Sequence, residues 1–449
     1  MVDVLLVYPF FKPRFDRSPF RFPPLGIGYI ASFLKQEGFT VKILDCTFKD
    51  QRRILKEVEN SSPRIIGIYS MYSMERESIN LARRIKGIAD ILVVGGPLPT
   101  VDPASFLNDF DLVVIGEGEN TMLDLARSFF DNGESRDVPG IVFKDGSGIH
   151  RTGNREFIKD LDLIPFPARE LFENAPYKKY YQTRFGYSMT SMISSRGCPF
   201  KCDFCSRPVF GDSFRSRSPQ SIVDEMQSIS ALGYDTVWFA DDCFTISKKR
   251  VVAICDEIMR RGLNLKWQCL SRVDTLDLET ASRIKKAGCQ RIYFGIESGD
   301  ERTLRIMRKE TDLRTARTAV RNARSAQIQT GAFFIIGYPG ESNQAILNTT
   351  RFGASLPLDY LSFTLPYPIP GTGLYEKVKD SLKDSAKRRP RMIEHSLLFK
   401  SQFSELKLKF AIAKGAVQFM MRKYLGSRGY RLLGTPLEKI TDELFRAMK

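Results

Sequence analysis

The sequence predicts an α/β protein: a doubly wound, Rossmann-like sheet, then a partial (β/α)6 barrel, then a helical tail. Three observations carry this. Residues 1–150 alternate short apolar runs with helical stretches. Residues 186–375 repeat the alternation six times, after a polar, proline-containing connector at 151–185. Residues 376–449 are helical in pattern and basic.

In the first region the apolar runs fall at 2–8, 41–44, 65–69, 91–94 and 112–115. Runs without polar alternation, separated by helices, read as parallel strands covered on both faces. Helical stretches lie between them, at 27–36 and 78–86 among others. Gly95-Gly96 and Gly116-Glu117-Gly118-Glu119 follow two of the strands. Strand ends are where doubly wound sheets take ligands, and glycine lets a ligand approach the backbone. Residues 140–153 read as a hairpin around Asp145-Gly146-Ser147-Gly148.

In the second region the strands are expected at 189–194, 236–240, 266–269, 291–295, 332–336 and 361–365. Helical periodicity occupies 222–232, 251–260 and 278–287. A barrel of such units keeps its working groups at the strand C-termini. Alternation alone leaves a second doubly wound sheet open. In the tail, Leu406, Phe410, Ala413, Val417, Met420 and Tyr424 recur at steps of three and four and mark one apolar face.

The chain has 449 residues, 43% of them hydrophobic, which excludes a disordered or collagen-like polymer. Its net charge is +16, and residues 377–449 alone hold 18 basic and 7 acidic side chains. No apolar run reaches membrane-spanning length, and no basic region precedes the opening strand, so a cytoplasmic location is expected. There are 8 cysteines and only 2 histidines, His150 and His395, which argues against His-based hydrolysis and zinc catalysis.

Three cysteines are clustered in Arg196-Gly197-Cys198-Pro199-Phe200-Lys201-Cys202-Asp203-Phe204-Cys205. Three thiolates on a tight loop can hold three irons of a four-iron cluster and leave the fourth iron open to a ligand. A structural zinc site would want four closed ligands. Three buried cysteines with no metal are the remaining alternative. The C-x3-C-x2-C spacing, with Phe204 before the last cysteine, resembles the signature of the radical S-adenosylmethionine (radical SAM) family. That resemblance implies a [4Fe-4S] cluster on Cys198, Cys202 and Cys205. It also implies S-adenosylmethionine on the open iron and its cleavage to a 5′-deoxyadenosyl radical. No side chain can attack an unactivated carbon, so a cofactor must supply the chemistry.

The family's other positions occur in order between Tyr187 and Tyr375. Asp241 and Asp242 stand where relatives bind the methionine amine, and Arg272 where the carboxylate is met. Glu297 and Ser298 match the ribose or carboxylate position. The run from Gly331 to Glu341, with Gly337 at its centre, is similar to the adenine-side motif. Cys243, beside Asp242, is a speculative catalytic candidate, and a small buried residue is the alternative; no catalytic acid or base can be chosen.

The first region is similar to the cobalamin-binding domain that precedes many radical SAM domains. Pro23 to Ala31, Gly38 to Val41, Gly95-Gly96-Pro97 and Gly116 to Glu119 carry the likeness. Ser70, Met71, Gly95, Gly96, Gly116 and Glu117 are the expected contacts. Residues 1–149 lack any histidine, and Leu98 stands where relatives often have one, so a cobalt ligated by a histidine of this domain is excluded. A sheet that binds nothing, or another nucleotide-like ligand, is the alternative.

The resemblance implies an anaerobic, cobalamin-dependent methyltransferase acting on a small molecule or lipid. Ring formation or rearrangement without methyl transfer is a second reading, and a non-catalytic cobalamin or redox sensor a third. Methylthiolation of transfer RNA usually needs three further cysteines near the N-terminus, where only Cys46 occurs. A reduced ferredoxin or flavodoxin is the expected electron donor. The tail is expected to pack on the barrel, with an anionic membrane surface or acidic substrate as its other potential partners; no RNA-binding module is evident.

Overall fold

The computed structural model describes residues 2–11, 20–133, 136–205, 209–383 and 396–448; His395 lies outside them. The first sheet is built from β1 (Val2–Tyr8), β2 (Val41–Asp45), β3 (Pro63–Tyr69), β4 (Ile91–Gly95) and β5 (Leu112–Val114). Its parallel order is β2-β1-β3-β4-β5. The connecting helices are α1 (Leu25–Gln36), α2 (Gln51–Ser61), α3 (Glu75–Ile85), α4 (Pro97–Val101) and α5 (Glu119–Asn132). Along β1, Val4 and Leu6 face Ile27 and Met122, while Leu5 and Val7 face Ile54 and Leu81. Both faces are therefore dry, which is why the run carries no polar alternation. The hairpin, β6 (Ile141–Asp145) and β7 (Gly148–Arg151), extends the edge antiparallel.

The connector holds α6 (Asn174–Phe185) and is tied to the second half by buried charge. Arg169 donates to Glu225 at 2.6 Å, Arg217 also donates to Glu225, and all three side chains are buried.

The second sheet is all parallel. Its strands are β8 (Met189–Met192), β11 (Thr236–Phe239), β12 (Lys266–Ser271), β13 (Cys289–Glu297), β14 (Gln329–Ile335) and β15 (Tyr360–Thr364), in that order across the sheet. A two-residue ladder, β9 (Ser195–Arg196) with β10 (Arg215–Ser216), flanks the cysteine segment. The helices are α7 (Pro219–Ala231), α8 (Lys248–Arg260), α9 (Leu278–Lys286), α10 (Glu301–Ile306), α11 (Leu313–Ser325), α12 (Asn343–Ser355) and α13 (Gly373–Val378). Ser218, Ser247, Asp277, Asp300, Asp312, Ser342 and Thr372 cap these seven, each accepting from the amide three residues on. The curled sheet encloses Trp238, Tyr293, Phe333 and Tyr360. Phe20 and Phe22 reach in from the N-terminal half, with Phe20 5.0 Å from Trp238 and 5.7 Å from Tyr293.

The tail folds as α14 (Glu405–Gly429) and α15 (Thr435–Ala447). Here the expected apolar face is corrected. Leu406, Val417, Met420 and Tyr424 point to solvent, while Leu408, Ala411, Gly415 and Phe419 face α12 and β15. The helix has two apolar sides, and the one with small residues wins the close packing. A Cβ on Gly415 would lie 2.7 Å from the Phe363 ring.

Glu225 neutralises two buried guanidinium groups, so Glu225→Ala leaves both without their carboxylate. A loss of about 3–5 kcal/mol in unfolding free energy is expected by denaturant titration, with a smaller loss for Glu225→Gln.

Candidate active site

The cysteine segment leaves β9 at the C-terminal end of the barrel strands and is pinned on several sides. Asp203 lies inside it. Its carboxylate accepts from Tyr338 Oη and Lys377 Nζ, both at 2.6 Å, and its backbone pairs with Met307 and Leu374. Gly197, at φ 80°, leaves no room for a side chain, since a Cβ would lie 2.2 Å from the Ser213 carbonyl oxygen. Cys198 and Cys202 are buried and Cys205 is half-buried. Burial pushes the Cys205 thiol up to about 12, and Asp242 and the other two sulfurs push the same way. Thiols in such surroundings ionise when a cation binds them, so this donor set fits a metal group. Among the described residues no three acidic, His or Cys side chains converge as a single-ion site. Three sulfurs spread along a loop suit the corners of an iron–sulfur cube better than one zinc ion.

Two cations line the loop. The Arg272 guanidinium lies 3.6 Å from the centre of the Phe200 ring and donates to Cys202 Sγ at 3.7 Å. It is also paired with Asp274 and donates to the Lys309 carbonyl at 2.9 Å. It therefore clamps the loop, and its donors are largely committed. Lys309 is the second cation, buried, 3.0 Å from Glu297 Oε1 and 5.9 Å from the Phe204 ring. Desolvation opposes its charge, but Glu297 and Cys202 outweigh that and raise its pKa. Glu297 itself sits at φ 72° as β13 ends.

The expected ligand residues separate into two groups. Asp242 is exposed, and its charge acts on Cys198 and Cys205. Asp241 is placed differently from Asp242. It is buried, accepting from the Ser194 and Ser195 amides at 2.7 and 3.2 Å and from Ser195 Oγ at 2.7 Å, with Arg250 beside it. Ser298 is likewise buried, its hydroxyl 3.0 Å from Thr349 Oγ1. Cys243 is a small buried residue, 3.7 Å from Thr245 Oγ1. Gly337, at φ 88°, opens a tight turn in which Glu341 accepts its amide at 2.7 Å and that of Tyr338 at 3.1 Å.

A cavity of about 930 Å³ lies between the two halves. Its walls include Met71, Gly95, Gly96, Gly116 and Glu117 from the first sheet and Ser191, Ala240 and Ser362 from the barrel strands. Gly96 is obligatory: at φ 122°, a Cβ would lie 2.4 Å from the Ser70 carbonyl oxygen. Ser70 stands behind the wall, fully buried and bonded to Ser78 Oγ at 3.0 Å. Glu117 has a second task. Its carboxylate pairs with Arg196 and Arg215, both at 2.9 Å, and locks the halves together. Glycine-rich strand ends facing a broad, mainly apolar cavity fit a large planar cofactor, and no histidine is among the described residues of its wall.

Sequence reasoning missed Asp203, Lys309 and Arg196. Asp203 was visible inside the cysteine motif but reads as a spacer. Lys309 lies in Arg308-Lys309-Glu310, where only the positive φ values of both neighbours turn it inward.

Residues 192–353 match the radical SAM superfamily model, and residues 12–126 the B12 binding domain model. An uncharacterized methyltransferase of Pyrococcus horikoshii is 34% identical over 366 residues, covering 79% of this chain and 78% of its own. The chain belongs to the radical SAM superfamily. It is a radical SAM enzyme with a cobalamin-binding domain ahead of the barrel. The anaerobic magnesium-protoporphyrin IX monomethyl ester cyclase of Cereibacter sphaeroides is 28% identical over 398 residues, covering 85% of this chain and 64% of that one. Among solved structures, the cobalamin-dependent radical enzyme OxsB, with aqua-cobalamin and S-adenosylmethionine bound, superimposes with a TM-score of 0.76. That match covers 99% of this radical SAM chain and 72% of OxsB at 18% identity, and so shows a shared fold.

Glu341 gives this radical SAM fold a pH signature. Burial pushes its carboxyl up to about 8, against the lowering effect of two amide bonds. The folded state then holds a proton that the unfolded chain releases at the ordinary carboxylate pKa. Its stabilising contribution is complete below that lower value and is lost as pH rises through about 8. Glu341→Gln should flatten the fall in unfolding free energy between about pH 5 and 8, measured by denaturant titration at several pH values.

Proposed function

We propose that this enzyme is a cobalamin-dependent methyltransferase that places a methyl group on an unactivated carbon of a small-molecule or lipid substrate. The observation that carries this is the cavity shared by the two halves, which joins the glycine-rich strand ends of the first sheet to the mouth of the barrel. A methyl carrier and a hydrogen-abstracting radical must act on the same carbon, so their sites must open onto one space. The methyltransferase name of the P. horikoshii relative supports the same reading. When bound, the cluster supplies an electron to S-adenosylmethionine and the cobalamin carries a methyl group.

Cys198, Cys202 and Cys205 hold the cluster. Asp242 and the Glu297–Lys309 pair offer opposite charges to the amino-acid end of S-adenosylmethionine, while Arg272 positions the cysteine loop. Gly95, Gly96 and Gly116 admit the corrin close to the backbone, and Phe20 and Phe22 close the barrel interior beneath. In net terms, the substrate hydrogen leaves on 5′-deoxyadenosine and the methyl group comes from a second S-adenosylmethionine. The electrons come from a reduced ferredoxin or flavodoxin in the cytoplasm. The magnesium-protoporphyrin cyclase relative favours a second reading, ring formation without methyl transfer.

Anaerobic incubation of reconstituted protein with dithionite, S-adenosylmethionine and cobalamin tests both. Methylation yields 5′-deoxyadenosine together with cobalamin-dependent S-adenosylhomocysteine. Cyclisation yields 5′-deoxyadenosine alone. Cys198→Ala should abolish 5′-deoxyadenosine, and its persistence would overturn the assignment of the cluster to this loop.

A further inference from the structure

The C-terminal helices turn an apolar surface to water. On α14, Leu406, Val417, Met420 and Tyr424 are 70, 49, 47 and 72% exposed. Helical spacing sets them on one stripe. The stripe lies on the side opposite Leu408, Ala411, Gly415 and Phe419, which pack toward the barrel. The second helix repeats the arrangement. Leu437, Ile440 and Leu444 are exposed along α15, as is Leu433 in the turn before it, while Asp442 and Phe445 are buried. Single exposed leucines are ordinary on protein surfaces, but a stripe continued over two successive helices marks an interaction site.

The inward side is polar where the outward side is apolar. Lys414 and Asp442 form a buried ion pair at 2.8 Å. Arg351 joins it, pairing with Asp442 and with Glu438 at 2.6 Å. Burying charges while exposing leucines runs against the usual hydrophobic preference unless the leucines have an apolar environment of their own.

Charge selects that environment. Among the described residues of α14, α15 and the turn between them, the exposed cations are Lys409, Lys423, Arg428, Arg431, Lys439 and Arg446, against one exposed carboxylate, Glu443. A second copy on a two-fold axis would set these cations against one another. An anionic bilayer suits both features, taking the leucines into its interfacial zone and the cations onto its phosphates. No described helix is long and apolar enough to cross a membrane, so the contact lies in the plane of the surface. We propose that α14 and α15 form an in-plane docking surface for an anionic lipid bilayer. The surface is fastened to the active site, because Leu408 of α14 fills the space over Gly337, where a Cβ would lie 2.5 Å from Leu408 Cδ1.

The test is flotation of the full chain with vesicles. Mixed phosphatidylglycerol–phosphatidylcholine vesicles should carry the protein about tenfold better than phosphatidylcholine alone, and added salt should erase the difference. Val417→Glu with Met420→Glu should abolish flotation. Lys423→Glu and Arg431→Glu should each lower it about fivefold or more on the anionic vesicles. These side chains are exposed, so circular dichroism and 5′-deoxyadenosine formation should be unchanged. That second readout also separates failure of docking from failure of the proposed reaction. The proposal is overturned if the protein does not float at low salt, or if the Val417→Glu, Met420→Glu variant floats as well as the parent. A stable dimer that these substitutions dissociate would also overturn it, in favour of a second copy.

Discussion

Arg196 stands two residues before Cys198, and its guanidinium is buried between Glu117 and Glu119 of the first sheet. The shared cavity depends on this contact. The carboxylates sit at the start of α5, where the helix dipole also favours negative charge. The arginine stands on β9, just after the barrel's first strand β8 and just before the cysteine loop. Glu117 takes a second arginine, Arg215, from the far side of the cysteine segment. One buried charge cluster thus fixes the cysteine loop and brings the glycine-rich strand ends over it. Burying such charges costs desolvation that only close pairing offsets, so the halves gain orientation from it more than stability.

The cysteine loop follows the same logic on a smaller scale. It is short and has no regular structure of its own, so its shape comes from what surrounds it. Asp203 ties it to Tyr338 and Lys377 on two separate later elements. Arg272 presses on Phe200 while its remaining donors reach Asp274 and the Lys309 carbonyl. Each partner comes from a different barrel unit, so the loop is ordered only once the barrel closes around it.

The tail shows how a basic helical sequence can be tied to a chemical site without taking part in it. α14 lies on α12 and β15, and Leu408 rests on the turn at Gly337. Movement of this helix would therefore be felt at the adenine-side motif. The buried Lys414–Asp442 pair holds the helix in one rotation about its axis, because any other would leave one of these charges buried alone.

Much of the plan was legible in the sequence, for local reasons. Strands covered on both faces must be continuously apolar, helices keep a period of three to four, and three thiolates at this spacing belong on one loop. Those rules operate within a few residues and need no knowledge of the rest of the chain. Side-chain direction is another matter. Asp241 and Asp242 are adjacent in sequence, yet one is buried among Ser194, Ser195 and Arg250 while the other stands exposed near the thiols. Ser70 has the right strand end but faces Ser78 beneath the cavity wall. Lys309 enters the site through backbone conformations that composition does not reveal. The stripe on α14 was visible as a period, but which of its two apolar sides would meet the barrel depended on where α12 and β15 left room for Gly415. Local chemistry therefore determined the elements and the cysteine motif, whereas distant partners competing for each polar group decided which side chains remained to meet a ligand.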